Sequence, residues 1–267
     1  MFQPLYIAAT GMNAFEEQMV DITNNLSNAR TVGFKRGRTE MESLFYLERA
    51  FQKRLDEQMM EGEVPKPFPP VEFGTGVRVS ATPKDFSQGT MEVSNNPLDL
   101  AIKGDGFFQL RAQDGSIYYT RAGNFHFDNE GNMVDPNGHR VEPEIKFPQG
   151  VTSIVIRRDG TVLVSINNSI EQTEIGQITI ARFTNPAGLK SIGLNLFEAT
   201  TASGEPMVGT AGDEGFGEVS QFSLELSNVD VISEMMRMVM AQRVFDTVSK
   251  AVQAYDGMLD AVIKMKA

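Results

Sequence analysis

The chain has 267 residues, 41% of them hydrophobic, with 24 Lys and Arg against 35 Asp and Glu and a net charge of −11. That length supports one large packed domain or two smaller ones, and the excess of carboxylates speaks against nucleic acid and anionic membrane surfaces, both of which are recognised through Lys and Arg. There is no cysteine, which excludes disulfides, thiolate metal sites and a Cys nucleophile but leaves the compartment open. The opening MFQPLYIAATGMNAFEEQMV has neither a basic n-region nor a continuous apolar stretch, so no cleaved secretory signal is expected. No run approaches the roughly 18 apolar residues of a membrane-spanning helix, so direct membrane insertion is not expected either.

Residues 3–28 read as one amphipathic helix. Leu5, Ala8, Met12, Phe15, Met19, Ile22 and Leu26 recur at steps of three and four, the seam of a helix that packs on another helix. Glu16, Glu17 and Asp21 fall off that seam, and β-branched Thr31 and Val32 followed by Gly33 end the helix. An ordinary helix covering a globular core is the alternative. The regularity of the ladder favours coiled packing between termini or between chains.

Residues 39–61 interleave charged and apolar side chains with a helix-favouring composition, so local propensity predicts a helix that tertiary context could pull extended. Pro65, Pro67, Pro69 and Pro70 then end it. The arm from Phe45 to Gly74 is too long for a simple hairpin connection.

From Val71 to about Ser223 the expectation is β structure. Runs such as VRVSA, FFQL, IYYTR, TVLVSI and ITIARF are rich in β-branched and aromatic residues and alternate with turn sequences, among them GDG at 104–106, DNEG at 128–131 and PNG at 136–138. Such density suits a sandwich or barrel better than alternating βα units. The Gly- and Ala-rich stretch 200–219 reads as a surface loop.

A last helix follows LELSNVDV. Ser227, Asn228 and Asp230 are candidate N-caps, and Glu234 sits in the first turn, where the helix dipole favours it. Met235, Met236, Met238 and Met240 give its start a soft, adaptable surface. A second ladder then runs through Val244, Val248, Ala251, Tyr255, Met258, Val262 and Met265. The fold class expected is α+β. The N- and C-terminal helices (1–38 plus 225–267) pair as a coiled-coil-like domain, an extended or helical arm covers 39–75, and a mainly antiparallel β domain covers 76–224.

Candidate chemistry is sparse. His126 and His139 lie in turn-rich hairpins without metal-ligand spacing, and no GxSxG elbow or phosphate-binding glycine loop is present. Asp105, Asp114, Asp128, Asp135 and Asp159 sit beside turn glycines or prolines, where Asx-turn roles account for them. Paired carboxylates for glycoside cleavage stay open on sequence alone, although Trp is absent. No catalytic residue, metal or cofactor is expected, and the chain reads as a non-enzyme.

Several segments resemble bacterial flagellar rod and hook proteins. At the N-terminus, AATGMNAFEEQMVDITNNLSNARTVGFKR carries that family's motif in Gly11, Met12, Asn24, Asn25, Leu26, Asn28, Gly33, Phe34 and Lys35. NNPLDLAIKGDGFFQL, YTRAGNF and FTNPAGLKSIGLNLFEAT resemble its β domain, and SNVDVISEMMRMVMAQRVFDTVSK, beginning with Ser227, Asn228 and Val229, resembles its C-terminal helix. The resemblance covers nearly the whole chain and is greatest to the distal rod type. It implies a structural subunit of the basal-body rod that polymerises into a rigid hollow drive shaft carrying torque from motor to hook. It further implies export through the flagellar type III apparatus into the periplasmic space. The implied partners are other copies of the chain, adjacent rod proteins, the hook protein and, where there is an outer membrane, the P and L ring proteins. A proximal rod or hook-type subunit is the nearest alternative, and a soluble carbohydrate-binding or adhesive β domain is a more distant one.

Overall fold

A computed structural model describes residues 3–49, 71–166 and 172–266. The chain forms two compact units, one of residues 1–23, 38–82 and 232–267, the other of residues 24–37 and 83–231. This division differs from the expected one in four places: the described parts of the arm and residues 76–82 group with the terminal helices, and residues 24–37 and 225–231 group with the β structure.

In the first unit, helix α1 spans Gln3–Ser27, its last residues reaching into the second unit. All seven seam positions from Leu5 to Leu26 are buried or half-buried, while Tyr6 and Val20 are exposed. Strands β1 (Glu40–Ser43), β2 (Tyr46–Arg49), β3 (Val71–Gly74) and β4 (Val77–Ala81) pair antiparallel as β1 with β4 and β2 with β3. The helix expected from the composition of 39–61 is therefore not formed over residues 40–49. Pairing with β3 and β4 supplies the backbone partners that a lone turn of helix would have had to make internally, and tertiary pairing overrides a propensity difference of only a few tenths of a kcal/mol per residue. Glu42 and Arg78 form a cross-strand ion pair on the β1–β4 ladder. The rest of that expected helix lies outside the described residues.

The turn between β3 and β4 closes on α1. Gly76 has φ of +119°, and a Cβ there would stand 2.2 Å from the Thr10 Oγ1. That hydroxyl accepts the Val77 N–H at 3.4 Å. The second terminal helix, α2, spans Val231–Lys266 and packs with α1, Ile7 and Ala8 lining one cavity with Tyr255. Among the described residues no helix is long and apolar enough to cross a membrane.

The second unit is antiparallel β, as the turn-punctuated runs predicted. Its strands are β5 (Met91–Val93), β6 (Leu100–Lys103), β7 (Phe107–Arg111), β8 (Ile117–Thr120), β9 (His126–Phe127), β10 (Met133–Val134) and β11 (Arg140–Glu142). After them come β12 (Val151–Ile156), β13 (Thr161–Ile166), β14 (Thr173–Gln177), β15 (Thr179–Arg182), β16 (Lys190–Gly193), β17 (Leu196–Glu198), β18 (Met207–Thr210), β19 (Glu218–Gln221) and β20 (Ser223–Glu225). Among the described residues the largest sheet has nine strands, ordered β16-β17-β8-β7-β11-β10-β9, with β15 bridging β7 and β18. A second sheet is β12-β13-β14, and β19 pairs with β6 and β20 with β5. The stretch 200–219, expected as a loop, contains β18 and the start of β19, each held by an antiparallel partner.

Alternation along the strands makes two cores. Phe108, Leu110, Ile180 and Leu196 face one core together with Leu100, Phe125, Val162 and Val164, so the nine-stranded and three-stranded sheets share it. Phe107, Ala181 and Phe197, their immediate neighbours in sequence, face a smaller aromatic core with Tyr119, Phe183 and Leu189. Phe86 meets the Phe107 and Phe197 rings edge-on at 5.3 and 5.1 Å. Each large side chain so buried contributes about 1.5–3 kcal/mol. The turn aspartates close the hairpins as Asx turns. Asp128 Oδ1 accepts the N–H groups of Glu130 and Asn132, Asp135 Oδ1 those of Asn137 and His139, and Asp114 and Asp159 those of Ser116 and Thr161.

Candidate assembly interface

The two terminal seams fare differently. On α1 the expected line coincides with the covered face. On α2 the covered line runs through Met238, Ala241, Phe245, Val248, Val252, Tyr255 and Leu259, sharing only Val248 and Tyr255 with the expected ladder. Val244, Ala251, Met258, Val262 and Met265 are exposed on the chain, Met265 to 83%. The helix thus carries two apolar lines, one covered within the chain and one open. A further open apolar groove at its start is lined by Ile232, Met235, Met236, Val239 and Met240. Glu234, as expected, stands in the first turn, buried, with Oε1 accepting Arg237 Nη1 at 3.1 Å.

Gly11 is half-buried midway along α1. Met12 follows it on the covered face, and the remaining motif residues gather in the second unit, where the segment after α1 lies beside the segment before α2. Asn24, Asn28 and Thr31 terminate α1. The Asn28 amide donates to both the carbonyl and the Oδ1 of Asn24 at 2.9 Å, and its Oδ1 accepts the Thr31 hydroxyl at 3.1 Å. This supplies the partners that the last helical carbonyls lack. Asn25, 1% exposed, uses its side chain as a strand would, donating to the Gly37 carbonyl at 3.0 Å and accepting the Gly37 N–H at 2.8 Å.

Gly33 follows with φ of +68°, its N–H on the Glu225 carbonyl at 2.8 Å. A Cβ at that position would meet the Ala122 backbone nitrogen at 2.3 Å, so glycine is required twice over, by conformation and by space. Phe34 is buried, with the Lys84 ammonium 5.3 Å from its ring centroid.

Lys35 is the centre of the arrangement. Its Nζ, fully buried, donates to Glu225 Oε1 and to the Ser87 carbonyl, each at 2.7 Å. Glu225, on β20, also accepts the Gly89 N–H at 2.9 Å through Oε1 and Arg121 Nη1 at 3.3 Å through Oε2. The Arg121 guanidinium stands 5.2 Å from the Phe107 ring centroid, over the aromatic core. Two buried cations thus share one carboxylate. Burial pulls the Lys35 ammonium below its ordinary pKa, with Glu225 opposing. Burial likewise lowers Arg121 against the pull of Glu225. Both oxygens of Glu225 accept hydrogen bonds, so the group is a tie between distant segments.

On the C-terminal side, Ser227 Oγ accepts the Val229 N–H at 3.3 Å and Ser227 is buried. Asn228, expected as a possible cap, has another role. Its Oδ1 accepts the Arg36 N–H at 2.9 Å, and its amide donates to the Asp85 carbonyl at 2.8 Å. Arg36 in turn holds Asp85 Oδ2 at 2.7 and 2.9 Å. Burial pushes the Asp85 carboxyl up, but the Ser87 N–H and the Arg36 guanidinium outweigh it and its pKa falls below the ordinary value.

Reading the sequence for chemistry missed Arg36, Asp85, Arg121 and Glu225. Glu225 carried no signal of its burial: it lies between Leu224 and Leu226, an alternation that would turn the leucines inward, whereas in the structure Ser223, Glu225 and Ser227 are the buried positions. A buried acidic residue needs a cation, and the structure supplies it in Lys35, named from sequence only as a motif residue.

Family models match at three places: flagella basal body rod protein over residues 5–35, flagellar hook protein FlgE/F/G D1 domain over 101–164, and flagellar basal body rod FlgEFG protein C-terminal over 220–265. The motif residues described above fall in the first and third of these. Curated relatives align along the whole length. The flagellar basal-body rod protein FlgG of Borreliella burgdorferi is 41% identical, over 100% of this chain and 99% of its own. That of Agrobacterium fabrum is 41% identical, over 97% and 98%. That of Caulobacter vibrioides is 37% identical, over 99% and 100%. With relatives 37 to 41% identical along nearly the whole of both chains, the chain belongs to the family of flagellar basal-body rod proteins, and within it stands with the FlgG members.

Proposed function

We propose that this chain is a structural, non-catalytic subunit of the distal rod, polymerising into a rigid hollow shaft that passes torque from motor to hook. The end-to-end match to FlgG relatives carries the reading. A second observation supports it: the open apolar line on α2 from Val244 to Met265 is surface that a solitary protein rarely leaves to water. Heterologous contacts that do not close build a helical filament from such surfaces. The interface residues in this reading are the α1 seam from Leu5 to Leu26 together with the α2 line from Val244 to Met265. Partners are other copies, adjacent rod proteins, the hook protein and the P and L ring proteins where an outer membrane is present. Delivery is by the flagellar type III route into the periplasmic part of the basal body. A soluble carbohydrate-binding β domain gains no support from these relatives.

The test is electron microscopy of basal bodies from cells lacking the gene. Basal bodies that end before the distal rod, restored by the gene in trans, are the expected result. Complete rods and hooks in the deletion strain would refute the assignment.

A further inference from the structure

The chain has 15 methionines and no cysteine, so every sulfur an oxidant can meet is a thioether. These thioethers are unevenly placed. Met133 is 1% exposed in the core of the β unit, and Met12 and Met19 stand half-buried on the covered line of α1. Among the described residues, the methionines more than half exposed are Met235, Met236, Met240, Met258 and Met265, at 54 to 83%, and all lie on α2. Met235, Met236 and Met240 line the open groove at its start. Met236 and Met240 lead by steps of four into Val244, and from there Ala251, Met258 and Met265 follow at steps of seven, so groove and open line share one face of the helix. The surface read above as an assembly interface is thus where the exposed sulfur of the chain is concentrated.

We propose that these five methionines are a modification site through which peroxide controls assembly: their oxidation to sulfoxide on the free chain blocks association, and association shields them. In the step, a thioether sulfur gives a lone pair to one oxygen of hydrogen peroxide. An S–O bond forms as the O–O bond breaks, and the other oxygen leaves with the proton of the first as water. The sulfur loses two electrons and the peroxide gains them. The product is a polar, chiral group in place of a flexible apolar one. A thioether packs against a neighbour's apolar surface as a soft filler. A sulfoxide oxygen in the same place gives up its water partners and finds no donor to replace them. The β unit is spared, because its core keeps Met133 away from the oxidant. Enzymatic reduction of the two sulfoxide epimers restores the thioether, so the block is reversible. The proposal rests on the subunit reading above.

The experiment treats the purified full-length chain and isolated basal bodies with hydrogen peroxide and follows each methionine by peptide mass spectrometry. On the free chain the five α2 methionines should oxidise at least about tenfold faster than Met133, and about tenfold faster than the same residues in basal bodies. Two full-length variants separate sulfur from shape. One has all five changed to Leu, which keeps apolar bulk and removes the sulfur. The other has all five changed to Gln, a polar group of similar length that imitates the sulfoxide. Amides of α1, β7 and β13 should exchange as in wild type in both, because the five side chains lie on the open face. Electron microscopy should find rods in normal number with the Leu variant and none with the Gln variant. At a peroxide dose that leaves growth unchanged, wild-type cells should form fewer new rods and Leu-variant cells as many as without peroxide. Equal oxidation of free and assembled chains overturns the proposal, as do rods built from the Gln variant. So do equal losses of new rods under peroxide in wild type and Leu variant. Missing rods in the untreated Leu variant, or raised exchange in β7 and β13 of the Gln variant, would assign the five to shape or folding and overturn it too. The rod reading fails separately, if deletion of the gene leaves rods in place, and the oxidation rates on the free chain do not depend on it.

Discussion

The second unit closes a large apolar core on itself, and the first leaves a continuous apolar line of its C-terminal helix open. Leu100, Ile102, Phe108, Leu110, Val162 and Ile180 are all at 0% exposure in the β structure, whereas Met258 is 61% and Ile263 66% exposed on α2. Both units draw on the same residue types, so the difference is one of closure. Sheets that alternate apolar and polar side chains can bury one face on another within a single chain. A helix with two apolar lines can bury only one of them on a single neighbour, and the other waits for a partner. The β unit closes its two cores within the chain, and the helical unit keeps one of its apolar lines open.

The sharpest way to break that contrast is to attack the tie that closes the β unit. Glu225→Gln keeps the shape of the side chain and leaves Lys35 and Arg121 buried without a counter-charge. Removing one partner of such a cluster costs about 3–5 kcal/mol, so the denaturant midpoint of the β unit should fall steeply. Lys35→Met leaves the Arg121–Glu225 pair intact and should cost less, about 1–3 kcal/mol. Equal losses in the two variants would mean that the cluster is not organised around the carboxylate.

The helical unit should respond in the opposite manner. Met12→Asp places a charge on the covered line of α1 at a cost of about 1–3 kcal/mol or more. Rods should fail to form while the amides of β7 and β13 remain as protected as in wild type. Leu26→Asp, often an equivalent choice on a seam, is not equivalent here, because residue 26 belongs to the β unit. It should lower protection in that unit as well. Normal rods from the Met12 variant would remove α1 from the interface.

Gly33→Ala sharpens the same boundary at smaller scale. The left-handed conformation costs an L-residue about 1–2 kcal/mol, and the crowded Ala122 nitrogen adds to it. The melting temperature of the β unit should fall by several degrees, read by circular dichroism with the helical signal at room temperature unchanged. An unaltered melting temperature would show that the turn can relax away from Ala122.

The legibility of these features in the sequence followed the range of the interactions behind them. The α1 seam, the turn aspartates and most strands rest on local periodicity or on a side chain bonding its own turn, and they were readable. Over strands β1 and β2 local propensity favoured helix and left the extended alternative open, because their partners β3 and β4 lie some thirty residues on, beyond any local window. The expected α2 ladder follows mostly the open one of two apolar lines, because apolar residues occupy both. Which line is covered depends on packing with α1, and the ladder itself is silent on that. The N- and C-terminal motifs were recognised as words, but their physical meaning was hidden, since Lys35 and Glu225 stand 190 residues apart.

The smallest effect expected concerns charge at the hairpin tips, and it separates the two units by pH. The Asn132 side chain and N–H hold Asp128 below the ordinary carboxylate value of 3.8. The Ser116 N–H does the same for Asp114 and the Thr161 N–H for Asp159. A carboxylate whose pKa is lower folded than unfolded gives stability that is fully present above the unfolded value. That stability is lost as the pH falls through the folded one. All three lie in the β unit, so its denaturant midpoint should decline as the pH drops below about 3.8, even after the solvent screening that makes each exposed contribution small. Changing the three to Asn keeps an oxygen to accept the same N–H groups and removes the titration. In the triple variant the midpoint should be flatter below that pH than in wild type, while the two curves run parallel near neutrality. Parallel curves throughout the acid range would show that these turns hold their carboxylates no more tightly than the unfolded chain does, and that acid sensitivity in the β unit lies with the Arg36–Asp85 pair instead.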